Sequence, residues 1–342
     1  MTIRTNGASQ DAVTADDVAA RAGVSRWTVA RAFKKRASIS TTSRARVMEA
    51  AEALGYVPDL SASSLASDRS NLVALLVDDF DNPHKLVMLE RLTRILREAG
   101  YGTLLVNMLG EADAPEALLA ASQRRVDAAV VIGTQFDDNI RKTALGAKRV
   151  KQLIIFARAS TSPGTISIGC DDISAMTEIT QHLLVKGYRR PLFLAGPNTE
   201  STRLMRKDTF LQVWQDARGN DSAPPVIHVP EYNMALAREY ITDYLRAMTV
   251  PEYPDVIVCE NDVLALGAID ALRHSLGLSV PKDVAVTGFD DVPLASSPAY
   301  DLTTYRQPVT EMARALVTVL DKGGIDHANV FLQGRFVVRG SA

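Results

Sequence analysis

The stretch VAARAGVSRWTVARAF, residues 18–33, decides how the N-terminal end of the chain folds. Two helices can cross closely only over small residues, and Ala19 and Ala22 supply them; Gly23 permits the tight turn between the helices, and Ser25 can cap the second. On that second helix Val24, Thr28, Val29, Ala32 and Phe33 form the inward stripe by spacing, which leaves Arg26, Trp27, Ala30 and Arg31 outward. Trp27 and Arg31, four apart, share a face. This is a helix-turn-helix pattern, whose second helix carries polar side chains into a DNA major groove. The plain alternative is an ordinary helical hairpin with Trp27 in its core and solvated arginines. Turn, cap, stripe and local charge all favour the first reading.

Outward from this motif, residues 18–48 hold Arg21, Arg26, Arg31, Lys34, Lys35, Arg36, Arg44 and Arg46 and no acidic side chain, although the whole chain of 342 residues has a net charge of -2. A polyanionic partner therefore fits this end alone. Three short helices are predicted, Thr14–Ala22, Ser25–Phe33 and Ser40–Ala53, each starting at a capping residue, the third stopping at Gly55. DLSASSLASDRSN (59–71) then reads as a linker in which Leu60–Ala66 has room for two turns of helix, too few to be stable alone.

From Leu72 the pattern changes. Short β-rich runs (LVALLV 72–77, TLLVN 103–107, DAAVVIG 127–133, QLIIFA 152–157, PLFLAG 191–196, PVIHV 225–229, DVIVC 255–259, DVAVTG 283–288) alternate with helical stretches including His84–Ala99, Ile173–Lys186, Thr202–Ala217 and Val263–Leu276. Strands alternating with helices give parallel sheets covered on both faces. The fold class is an α-helical helix-turn-helix head plus an α/β body, and a body of this length divides into two doubly wound subdomains with a ligand cleft between them. The expected boundaries are 12–58 for the head, 59–70 for a hinge and 71–342 for the body. Within the body, 71–170 with 306–324 form the first subdomain and 171–305 with 325–342 the second.

Composition narrows the function. The chain is 46% apolar and 23% charged, with a mean hydropathy of +0.00. No apolar run approaches the roughly 20 residues of a membrane span, and the N-terminal residues carry no apolar leader core. Cys170 and Cys259 are expected as reduced core thiols, which fits the cytoplasm. The chain has no Walker loop, no dinucleotide-binding glycine fingerprint after a strand, no G-x-S-x-G elbow and no H-E-x-x-H pair, and its five histidines are scattered. No catalytic residue, cofactor or metal is expected. Cleft carboxylates could run glycoside chemistry, and transport receptors for sugars are built on such a body, but a receptor has no use for a basic three-helix head.

DVAARAGVS (17–25), the run from Ile39 to Asp59, DDFDNP (78–83), DDISA (171–175), HLLVKGYRRPLFLAGP (182–197), ENDVLALGA (260–268), VTGFDD (286–291), LTTYRQP (302–308) and VVRGS (337–341) occur in an order that resembles the lac repressor (LacI/GalR) family of transcription regulators over nearly the whole chain. The resemblance implies a helix-turn-helix head, a hinge helix and two periplasmic-binding-protein-like subdomains. It also implies a sequence-specific regulator, a repressor, that binds double-stranded DNA at a palindromic operator as a homodimer and responds to a small-molecule effector, a sugar or sugar derivative. Ser25, Arg26, Trp27, Thr28, Arg31, Ser40 and Leu65 are then the candidate DNA contacts. Arg31 stands out for a bidentate contact to guanine, and Leu65 for a wedge in the minor groove. The chain departs from the family at Asp59 and Ser63, where relatives commonly carry Asn and Arg; the loss of a base weakens the hinge contribution or shifts its operator preference.

Effector candidates follow strand ends. They are Asp79, Asn82, His84, Lys85, Arg158, Arg206, Asn261, Asp262, Asp290 and Gln307. Each has a structural alternative: Asn82–Pro83 as a turn, Arg158 as a rim ion pair, Arg206 on a solvated face, Asn261–Asp262 as a helix cap, Asp290–Asp291 as a turn. His84 and Lys85 stand where relatives commonly carry aromatic residues; with Arg158 and Arg206 they would favour a carboxylate or phosphate. Asn261, Asp290 and Gln307 would hold a neutral sugar instead, with Phe80, Tyr232 or Phe289 as a stacking face. The competing function is a cytoplasmic small-molecule binding protein whose helical head does something other than bind DNA.

Overall fold

The structure is a computed structural model, and it describes residues 13–33, 37–58, 69–108, 113–134, 150–199, 202–219, 223–323 and 329–342. Its contacts divide the chain into two units, Met1–Ser70 and Asn71–Ala342. Lys34, Lys35, Arg36 and the hinge positions 59–68, Leu65 among them, lie outside the described residues.

The first unit is built on α1 (Ala15–Ala22), α2 (Arg26–Ala32) and α3 (Thr41–Leu54). Thr14 and Asp17 form a reciprocal capping box at α1, Ser25 Oγ accepts the Thr28 amide and Ser40 Oγ the Ser43 amide, so each start is fixed by its own sequence. Gly23 closes α1 at φ 62°, a conformation costly for a residue with a Cβ. The helices enclose Val18, Ala19, Ala22, Val29, Ala32, Val47, Ala50 and Ala51, with Val24 and Phe33 half-buried against them. Trp27 is 66% exposed, which removes the reading that places it in the core.

In the second unit a six-stranded parallel sheet has the order β13-β6-β4-β3-β1-β2. Its strands are β1 (Leu72–Val77), β2 (Gly102–Asn107), β3 (Ala128–Ile132), β4 (Gln152–Phe156), β6 (Thr165–Cys170) and β13 (Val330–Leu332). Along β1, Val73, Leu75 and Val77 enter one buried cluster, with α4 (Pro83–Ala99) and α10 (Val309–Lys322), while Ala74 and Leu76 enter another with α5 (Asp113–Gln123). A four-stranded parallel sheet, β11-β10-β7-β9, comprises β7 (Pro191–Ala195), β9 (Val226–His228), β10 (Val256–Cys259) and β11 (Ala285–Thr287). Around it stand α6 (Asp172–Lys186), α7 (Arg206–Arg218), α8 (Met234–Arg246) and α9 (Asp262–Asp270), with core residues on both faces. β12 (Thr304–Arg306) pairs antiparallel with β14 (Arg335–Val337), and β5 (Ala159–Ser160) with β8 (Thr202–Arg203).

Two expectations need correction. The first sheet retains β13 beside β6, so residues 330–332 stand in the first sheet, where the second subdomain was expected from 325 onward. The helix expected over Thr202–Ala217 starts at Arg206, because Thr202–Arg203 is drawn into the short pairing with β5. Such a long-range pairing overrides local helical spacing.

Candidate functional site

The C-terminal ends of the two parallel sheets face one another, the usual ligand position in this architecture. Asn82, His84 and Lys85 come from the start of α4, Thr134 from the loop after β3 and Arg158 from the loop after β4. Arg206 at the head of α7, Tyr232, Asn261 after β10, Asp290 after β11 and Gln307 after β12 face them across a cavity of only about 60 Å³. Phe156, Ile132, Met88 and Leu204 add apolar wall.

Apart from the His84 ring nitrogens and Gln307 Oε1, the polar groups named below are held by their neighbours. Asn82 Oδ1 caps α4 by accepting the His84 amide at 3.0 Å. Lys85 Nζ is bonded to Asp78 and lies 3.6 Å from Asp79, which in turn accepts the amides of Asp81 and Asn82. Gly133 makes this possible, since a Cβ there would sit 2.1 Å from the Asp78 carboxyl carbon. Arg206 is buried over the Phe289 ring at 3.7 Å and donates to Asp172 at 3.0 Å and to the Glu260 carbonyl at 2.8 Å, with Asp290 3.8 Å away. Burial opposes the charge on Arg206, but Asp172 and Asp290 raise its pKa overall. Gln307 Nε2 donates to Asp290 Oδ1 at 2.7 Å. Asp290 itself sits at φ 127° and Asp291 at φ 55°, backbone strain of a kind concentrated at ligand sites.

Arg158 spans the cleft. From the end of β4 it donates to Thr202 Oγ1 at 3.0 Å, Thr199 Oγ1 at 2.8 Å and Tyr232 OH at 3.4 Å, all in the opposite subdomain. Tyr232 OH continues to Glu260 Oε2 at 3.0 Å, which also accepts the Gly196 amide.

The structure changes the expected charge of the site. His84 is not a cation: burial first, and then the Arg206 charge, hold its imidazole down to about 3, and both ring nitrogens lack a hydrogen-bond partner. Lys85 is neutralised by Asp78. Asp290 is pushed above the ordinary carboxylate range by burial, against the pull of Arg206. Asp262 does not reach the cavity. It is fully buried beneath it, accepting the Val292 amide at 2.8 Å and the Thr304 hydroxyl at 2.6 Å. Asp79 supports the loop without lining the cavity, Phe289 lies under Arg206, and Phe80 packs on the first core, so Tyr232 is the aromatic edge. Asp78, Asp172, Glu260 and Thr199 escape sequence reasoning, although DDFDNP and DDISA contain the first two.

In the head, the Trp27 and Arg31 side chains stack with the guanidinium 4.3 Å from the ring centroid, and Arg31 Nε and Nη2 both donate to the Ser38 carbonyl. Arg26 is exposed, 3.5 Å from Asp16. Ser25 and Ser40 are exposed cap residues, and the Thr28 hydroxyl is tied to Ser25 at 3.0 Å. Helix starts capped in this way leave first-turn amides able to meet phosphate. Among the described residues no cluster of His, Cys, Asp or Glu is placed to hold a metal ion, and no helix is long and apolar enough to cross a membrane.

Comparison with known proteins matches residues 14–59 to the bacterial regulatory proteins of the lacI family and 180–342 to a periplasmic binding protein-like domain. The chain is 33% identical to the sucrose operon repressor of Escherichia coli over 286 residues, 81% of this chain and 83% of that protein. It is 30% identical over 341 residues, 95% of each chain, to the transcriptional regulator MalR of Streptomyces coelicolor. In structure it aligns with the lac repressor dimer bound to operator and an anti-inducer, at TM-score 0.77 and 22% identity, covering 97% of this chain and 99% of that one.

Proposed function

The chain belongs to the LacI family of bacterial transcription regulators, ligand-responsive DNA-binding repressors, and from that premise we propose that its effector is a neutral, hydroxyl-rich molecule of the sugar class held in the cleft. One observation carries this choice. Lys85, Arg206 and their carboxylate neighbours are already paired, His84 is uncharged, and the remaining donors and acceptors suit hydroxyl groups better than an anion. Arg158, Asn261, Asp290 and Gln307 would bind the ligand, with Tyr232 at its edge. A sucrose repressor among the relatives supports the same class.

The cavity is well below the roughly 300–1,000 Å³ of most small-molecule sites. Entry therefore requires the subdomains to part, and ligand acts by choosing between open and closed forms. In this reading the protein works in the cytoplasm as a homodimer on a palindromic operator, with Arg26, Trp27 and Arg31 reading bases and Ser25, Thr28 and Ser40 near phosphates. The fold resemblance to an operator-bound lac repressor dimer supports that assembly. No enzymatic role is proposed, since the relatives are regulators.

The test is a thermal-shift and calorimetric panel of glucose, fructose and sucrose against sugar phosphates, on wild type, Gln307→Ala and Lys85→Ala. A neutral sugar is expected to raise the melting temperature saturably, with the response lost in Gln307→Ala. Binding of anionic members alone, abolished by Lys85→Ala, would overturn the reading.

A further inference from the structure

A second cavity of about 620 Å³ opens beside the segments that cross between the subdomains, and its size suits a small-molecule ligand. Four arginines line it: Arg91 on α4, Arg306 on β12, Arg335 on β14, and Arg339. The antiparallel register sets Arg306 directly opposite Arg335. Like charges so placed destabilise a strand pair, and an anion between them removes the penalty.

Arg91 is paired with Glu90 at 2.8 Å, but the carboxylates present do not discharge the other three. Asp291 accepts from Arg306 at 2.5 Å and from Arg339 at 2.6 Å, so one acid serves two bases. Asp290 turns to Arg206 and Glu311 to Arg314, at 3.8 and 3.6 Å. Arg335 is exposed and makes no ion pair among the described residues. Two further features face the same space. α10 begins here behind Pro308 with no side-chain cap; the Val309 amide donates to the Gln307 carbonyl at 2.9 Å, and the amides of Thr310 and Glu311 are the first-turn donors that can meet an anion. Gln307, buried on the wall, has its Oε1 without a partner.

We infer that this cavity is a second ligand site, selective for a compact anion such as a phosphate or carboxylate group. Arg306 and Arg335 clamp the anion, Arg339 and Arg91 flank it, and Gln307 accepts a hydroxyl of the same ligand. His84, Asp290 and Gln307 line both this cavity and the cleft. Occupancy here therefore shifts subdomain closure, and so modulates the response to the cleft ligand.

The experiment uses the full chain and inorganic phosphate, with chloride at matched ionic strength. Melting temperature and calorimetry are followed in wild type, Arg335→Gln and Arg335→Lys, with light scattering for mass. Wild type is expected to show a saturable rise. Arg335→Gln should weaken phosphate binding about tenfold or more, as expected for one charge-assisted hydrogen bond, with Arg335→Lys between the two. The neutral-sugar response of the cleft stays intact in Arg335→Gln, so failure of either site is distinguishable from failure of the other. No saturable response in wild type, or an equal response in Arg335→Gln as general salt stabilisation would give, overturns the inference. So does a change of mass in Arg335→Gln without loss of phosphate binding, which would assign this face to contact between copies of the chain.

Discussion

Replacing His84 by Gln should remove much of the acid sensitivity of the body. His84 is buried, with an imidazole pKa of about 3 in place of the ordinary 6.5. Between those values the unfolded chain takes up a proton that the folded one refuses, so stability falls as pH drops through 6.5 and continues to fall to about 3. At 1.36 kcal/mol per pKa unit, moving from pH 7.5 to pH 5 costs about 2 kcal/mol through this one side chain. Asp262 and Asp290 act in the opposite sense: their raised carboxyl pKa values make the folded chain protonate first, so their contribution falls as pH rises. Both are present in wild type and variant, and their effect cancels in the comparison. Urea unfolding followed by far-UV circular dichroism at the two pH values should show a wild-type loss larger than that of His84→Gln by about 2 kcal/mol. Equal losses would refute the reasoning. They would mean that Asp290, 3.8 Å away, accepts a charged imidazole as an ion pair and offsets its burial.

Trp27→Ala should leave the melting temperature of the head nearly unchanged, within the roughly ±0.5 kcal/mol of surface substitutions, while competition binding shows altered preference among operator sequences; a destabilised head would place Trp27 in a packing role. Asp262→Ala should destabilise the body by about 1–3 kcal/mol, because the buried Val292 amide and Thr304 hydroxyl lose their acceptor, yet leave effector affinity of the folded fraction unchanged by calorimetry. A selective loss of affinity at full stability would put Asp262 in the cleft after all.

What the sequence revealed and what it hid divide along the range of the interactions. Helix starts at Ser25 and Ser40 and the turn at Gly23 were legible because each is settled within four residues. The strands were legible because parallel strands covered on both faces are continuous apolar runs, as in β1 and β3. The positions that meet in the cleft were legible as strand ends. Their charge states were not, since each depends on a partner brought by the fold. Lys85 looks like a free cation until β1 and α4 place Asp78 against it. Asn261 and Asp262 look alike in sequence, yet one lines the cavity and the other turns beneath it to Thr304, 42 positions on. Arg206 meets Asp172 from 34 positions away, and Arg158 crosses to Thr199 and Thr202.

These distant pairings bear directly on how the cleft responds. In the proposed reading this is the closed form, and the protein's own side chains hold it: Arg158 on three hydroxyls of the opposite subdomain, and β5 paired with β8. Parting the subdomains breaks those bonds, but each freed group regains water, so the net loss is on the order of 1 kcal/mol per bond. Closure without ligand is thus favoured by an amount that one small molecule can rival. A ligand that offers hydroxyls to Arg158, Asn261 and Gln307 replaces the latch rather than merely filling space. Its effect on the equilibrium equals only the difference in its affinity for the two forms. A ligand too large for the closed cavity must favour the open form, and a compact one that satisfies Arg158 without displacing Thr199 and Thr202 favours the closed form. On the proposed function, ligand size, set against a cavity of about 60 Å³, therefore decides the sign of the response.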